Sequence, residues 1–147
     1  MAVISVITGI LAAAVLPQMT GLMAKNSLQS SMNEVTGAIR EAQRSAMKNG
    51  RTCTVNLSST GVSSTNTSTN ICMTSPVSLS SGMTLSVPTG STMPSTFSFS
   101  YKGNTTTDLT LILSSTKTST QRCLVISAGI GIMRSGTYEN NSCTSSF

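Results

Sequence analysis

Cysteine is the residue type with the most definite chemistry in this 147-residue chain, which carries four of them, Cys53, Cys72, Cys123 and Cys143. None belongs to a C-x-x-C pair, and there is no histidine to complete a zinc site. An even set of cysteines without metal-ligand spacing favours disulfides, and stable disulfides imply an oxidising compartment. Four cysteines allow three pairings. Cys53–Cys72 with Cys123–Cys143 is favoured, because each bond closes a loop of about twenty residues, worth roughly 3 kcal/mol of chain entropy.

Other reactive constellations are missing from the sequence. The acids Glu34, Glu41, Asp108 and Glu139 show no paired spacing, serine is plentiful without a G-x-S-x-G elbow, and histidine is absent. General acid–base or nucleophilic chemistry needs a positioned titratable pair, so the expectation is a protein that is not an enzyme and binds no cofactor. Glu41 is expected to pair with Arg44 or Lys48 on its own helix.

The cations invite a different reading. Net charge is +5 and the isoelectric point near 9.4. Lys25, Arg40, Arg44, Lys48 and Arg51 lie in or just after a helical stretch, where Arg40, Arg44 and Lys48 share one face at i, i+4, i+8. The expected role of that face is a solvated surface, or one paired with a neighbour's acids. Lys102, Lys117, Arg122 and Arg134 are the remaining candidates for a phosphate backbone. No aromatic residues are interleaved among them, which disfavours stacking on single strands.

The elements that must position these residues are legible in outline. From Met1 to Ala24 no charged residue occurs. This apolar run approaches the roughly 20 residues that a hydrocarbon core requires, although Pro17 would kink a helix. It fits a retained helix better than a cleaved signal peptide, because no basic segment precedes it. Leu28, Met32, Val35, Ile39, Ala42 and Ala46 then follow at steps of three and four, an apolar stripe of helical period. Asn49-Gly50 is a helix stop. One helix to about Asn49, roughly 70 Å long, is expected to lay that stripe on the rest of the chain.

The rest reads as β. Cys53, Val55 and Leu57 alternate with polar residues, as do Met83, Leu85 and Val87, and then Phe97, Phe99 and Tyr101. Leu109–Leu113, Cys123–Ser127 and Ile130–Met133 read as further strands, the last two hinged at Ala128-Gly129. Ser58–Asn70 and Ser114–Gln121 are Ser/Thr/Asn-rich and read as loops. Serine and threonine make up about a third of the chain, so Asn-x-Ser/Thr triplets at Asn56, Asn66, Asn104 and Asn140 carry no weight.

Three passages resemble the type IV pilin superfamily, and within it the minor pilins and pseudopilins of the FimT/FimU/GspH group. The first is Met1-Ala-Val-Ile-Ser-Val-Ile-Thr-Gly-Ile-Leu-Ala-Ala-Ala-Val-Leu-Pro17, similar to the apolar pilin N-terminus with its proline. The second, Ile39-Arg-Glu-Ala-Gln-Arg-Ser-Ala-Met-Lys-Asn-Gly-Arg-Thr-Cys-Thr-Val55, is similar to the group's helix-to-strand junction. The third, Cys123-Leu-Val-Ile-Ser-Ala-Gly-Ile-Gly-Ile-Met-Arg-Ser-Gly136, resembles its closing strands, followed by a late cysteine. Residues 58–120 resemble nothing comparable. Met1 aligns just after the Phe-Thr-Leu-Ile-Glu-Leu-like start of mature pilins, so the resemblance places the leader site and the assembly glutamate before Met1.

The resemblance implies an α+β fold in which a long N-terminal helix packs on an antiparallel β-sheet domain. It implies a membrane or filament-core half-helix (1–24), an amphipathic half-helix (25–50) and a β-rich head (51–147). The implied function is that of a structural subunit in a type IV pilus or related filament, acting in assembly or at the tip. Ile4, Ile7, Ile10, Leu11, Val15, Leu16 and Pro17 would pack the filament core. The implied partners are other pilins, and the inner membrane before assembly, with the head in the periplasm. Two alternatives follow from the same resemblance: a type II secretion pseudopilin, and a competence pilin that binds double-stranded DNA. Some FimT-like pilins bind DNA through Gly-Arg-x-Arg; the matching stretch here is Gly131-Ile-Met-Arg134, with Ile132 in place of the first arginine.

Overall fold

The computed structural model describes residues 2–66 and 71–144, with side chains described from residue 19 onward. Among the described residues a single helix, α1 (Ala2–Asn49), precedes nine strands. All six residues of the apolar stripe are buried, and Ala38 joins them in the core. Burial of a large aliphatic side chain stabilises by about 1.5–3 kcal/mol, so Leu28, Met32, Val35 and Ile39 anchor the helix firmly. Thr36 is buried among them, and its hydroxyl donates to the Met32 carbonyl at 2.7 Å, which satisfies it inside the helix. The helix stops where its sequence says it should. Gly50 takes φ +62°, and the Arg51 N–H reaches back to the Ala46 carbonyl at 3.2 Å, closing a Schellman-type end.

Two antiparallel sheets make the head. One has the order β3 (Val77–Ser78), β2 (Gly61–Ser64), β1 (Cys53–Ser58), β5 (Thr96–Phe99). The other runs β4 (Met83–Ser86), β6 (Leu109–Ser115), β7 (Thr118–Ile126), β8 (Met133–Glu139), β9 (Ser142–Thr144). Strands from both sheets contact α1. The core under the helix contains Val55, Leu57, Phe97 and Phe99 from the first sheet and Leu85, Leu111, Leu113, Leu124 and Ile126 from the second. Phe97 and Phe99 meet edge to face, with centroids 5.1 Å apart, an arrangement favoured by the aromatic quadrupole.

Several expected boundaries move. Ser58–Asn70, expected as a loop, contains β2, and Ser114–Gln121 is a tight hairpin in which Ser115 pairs with Thr118. Threonine is a good strand residue, yet a Ser/Thr run shows no apolar alternation to reveal it. Ile130–Met133, expected as a strand, is mostly a turn: Gly129 and Gly131 take φ +82° and +64°, and the strand starts at Met133. Tyr101 likewise lies in the turn after β5. The β8–β9 hairpin turns on Asn140 and Asn141, both with positive φ, as a two-residue turn of the primed kind requires. Among the described residues, no helix is long and apolar enough to cross a membrane.

Candidate interaction surfaces

Disulfides pin the head at two places. Cys53 at the start of β1 is bonded to Cys72, and Cys123 on β7 to Cys143 on β9, with Cα atoms 5.5 and 5.9 Å apart. Asn66 adds hydrogen bonds beside the Cys53–Cys72 bond. Its carboxamide accepts from the Cys72 N–H at 2.9 Å and donates to the Met73 carbonyl at 2.7 Å. No cluster of potential metal ligands exists among the described residues.

Lys102, Lys117, Arg122 and Arg134, the candidates for a phosphate backbone, do not converge. Lys117, at the β6–β7 turn, lines a groove of about 810 Å³ with Thr20, Met23 and Ser27 of α1. Lys102 lies at the other end of the head, beside Gly103, whose carbonyl accepts from Gln43 of α1 at 2.7 Å. From the level of residue 23 to that of residue 43 the helix rises roughly 30 Å. Between these ends, strand register separates the two arginines. Arg122 pairs with Thr137, and Val125 with Arg134. Side chains alternate along a strand, so Arg122 shares the helix-facing side with Leu124 and Ile126 while Arg134 points the opposite way. Arg122 is accordingly half-buried beside Gln29 and Met32. One of its terminal nitrogens donates to the Thr137 hydroxyl at 3.0 Å, while its Nε is buried without a hydrogen-bond partner. Arg134 is exposed on the outer face.

Glu41 does not take the role expected of it. Its carboxylate accepts from the Thr74 N–H at 2.9 Å and from the Thr74 hydroxyl. It thereby ties the helix to the segment after Cys72 rather than to Arg44 or Lys48. Those cations, with Arg40, line a shallow groove on the solvent side of α1. The side chains of Ile4, Ile7, Ile10, Leu11, Val15, Leu16 and Pro17 lie outside the described residues.

At the C-terminal end of α1, two turns are latched onto the helix by one side chain. Gln43 Nε2 donates to the carbonyl of Gly103 at 2.7 Å and to that of Gly131 at 3.0 Å. The turns also bind each other, through the Gly129 N–H and the Thr105 carbonyl at 2.9 Å. Asp108 holds the second turn from below, accepting from the Ala128 N–H at 2.7 Å. Around this latch, Met47, Tyr101, Ile130 and Ile132 are 47%, 56%, 67% and 44% exposed. None of these residues stood out in the sequence as a site. The glycines of the two turns were the visible signal, but nothing local ties them to Gln43.

No protein-family model matches the sequence, and no curated protein matches it. Solved structures do match. The chain is similar to the type IV minor pilin FimU of Pseudomonas aeruginosa, at 17% identity and a TM-score of 0.58, over 84% of this chain and 96% of that one. A second crystal form of FimU matches at 16% identity and a TM-score of 0.55, over 79% and 96% of the two chains. A long helix laid across antiparallel sheets in this arrangement is the fold of a type IV minor pilin.

Proposed function

We propose that this chain is a minor pilin, a structural subunit of a type IV pilus. The observation that carries the reading is the fold shared with FimU across 84% of the chain, on a helix that begins far from its head. Among the described side chains, the buried helix residues run from Ala24 to Ala46, whereas α1 starts at Ala2. In this reading residues 1–24 hold the protein in the inner membrane and later enter the filament core. There Ile4, Ile7, Ile10, Leu11, Val15 and Leu16 are buried among the helices of neighbours, and Pro17 shapes the helix between them. Residues 25–50 are the stalk and 51–147 the head, periplasmic at first and outward-facing in the filament. Apolar burial drives such cohesion, and a head-to-tail contact that does not close generates a filament.

Fractionation of the native host tests this. The full chain is expected in sheared surface filaments, and its deletion is expected to lower their number. A chain confined to the inner membrane, with filaments forming normally without it, contradicts the proposal. Loss of protein secretion on deletion, with surface pili intact, would assign it to a type II secretion pseudopilus instead.

A further inference from the structure

We infer that the surface formed by Met47, Tyr101, Ile130 and Ile132 at the C-terminal end of α1 is a docking site for a different protein subunit, one presenting an apolar centre with an acidic rim. The partner's class rests on the filament reading above; the site itself rests on geometry. A Cβ built on Gly103 would stand 2.7 Å from the Met47 sulfur, and one built on Gly131 would stand 2.4 Å from the Gly103 carbonyl oxygen. Met47, Gly103 and Gly131 are therefore in contact. Ile130 and Ile132 flank Gly131, and Tyr101 is two residues from Gly103, so steps of about 3.8 Å per residue keep the backbones of all four residues close together. Four of the eight large hydrophobics exposed among the described residues gather here. A gathering of exposed large apolar residues is the kind of feature that marks interaction sites.

The patch is built rather than accidental. Gln43 fixes both turns, and two positive-φ glycines permit their close approach. A rigid surface loses little entropy on binding.

Charge identifies the occupant. Lys102 stands over the Tyr101 ring at 5.6 Å. Arg44 precedes Met47 by three residues, which makes them neighbours on the helix surface, and Arg51 follows the helix end. Asp108 is the acid at this end, and its carboxylate is engaged by the Ala128 N–H. The rim is thus net positive. A second copy of this chain complements it poorly: among the described residues its other exposed apolar group, Met19, Leu22 and Met23, adjoins Lys25 and Lys117. Duplex DNA fits the cations but offers no apolar surface for Ile130 and Ile132. An acid-rimmed apolar surface on another subunit satisfies both parts.

The test places a photo-cross-linking residue at Ile130 of the full chain in its host, with Glu139 at the far end of the sheet as the control position. The expected result is an adduct with a different subunit of the filament, through an acidic peptide. Ile130→Glu with Ile132→Glu is expected to cut the yield of that adduct, with the cross-linker moved to Tyr101, by about tenfold or more. Lys102→Glu is expected to lower it as well, with the amount of chain in the membrane unchanged. Adducts only with copies of this chain, with nucleic acid or with nothing overturn the inference, as does an adduct insensitive to both variants. If the wild-type chain is nevertheless recovered in filaments, only the docking site fails; if it never enters them, the filament reading fails too.

Discussion

Gly131 shows how much can depend on one missing methyl group. It has φ +64°, and an added Cβ would lie 2.4 Å from the Gly103 carbonyl oxygen and 2.7 Å from Gln43 Nε2. Gly129, two residues earlier, has φ +82° but open space where a Cβ would go. Gly129→Ala should therefore cost only the left-handed backbone term, about 1–2 kcal/mol. Gly131→Ala should cost at least about 1 kcal/mol more, because backbone must move and two hydrogen bonds are disturbed. Urea denaturation of the full chain in detergent compares the two; equal losses would remove the latch as an explanation. The sequence Ala128-Gly129-Ile-Gly131 announces a turn. That this turn touches another, twenty-eight residues away in the chain, is invisible to local pattern.

Between residues and whole molecule stand elements that the two disulfides hold in place. Their separations are 19 and 20 residues, so the chain-entropy contribution of each is about 3 kcal/mol. Cys53→Ala with Cys72→Ala, and Cys123→Ala with Cys143→Ala, should each lower stability by roughly 2–4 kcal/mol, read from denaturation midpoints. A loss below about 0.5 kcal/mol for either pair would mean that strand pairing alone secures that segment. At this scale the helix was the most legible element, because an apolar step of three or four repeats whatever lies opposite. Strands rich in Val, Leu and Phe were legible for the same reason with a period of two. β2 and the β6–β7 hairpin were not, since serine and threonine write strand and loop in the same letters. The β8–β9 hairpin was not read from the sequence either, since β9 is only three residues long and carries little pattern.

Across the whole molecule, the placement of charge separates arginines that the sequence groups together. Arg122 faces the helix and bonds Thr137, whereas Arg134 faces outward. If the chain binds duplex DNA at all, Arg122→Ala should leave the salt dependence of binding unchanged, because a guanidinium turned toward the helix and engaged by Thr137 is not presented to a phosphate. A fall in the salt slope of about one in a gel-shift series would contradict that placement. By itself the sequence determined the long helix, the stripe that docks it, its stop at Gly50 and the presence of four cysteines. Each of these depends on neighbours a few residues away, where periodicity and backbone preference decide the outcome. Tertiary structure alone decided that the strands form two sheets, that Arg122 and Arg134 part company, and that Gln43 gathers two distant turns beneath an exposed apolar surface. Those outcomes depend on register and on contacts between segments far apart in the chain, where many weak terms compete and no short stretch of sequence holds the balance.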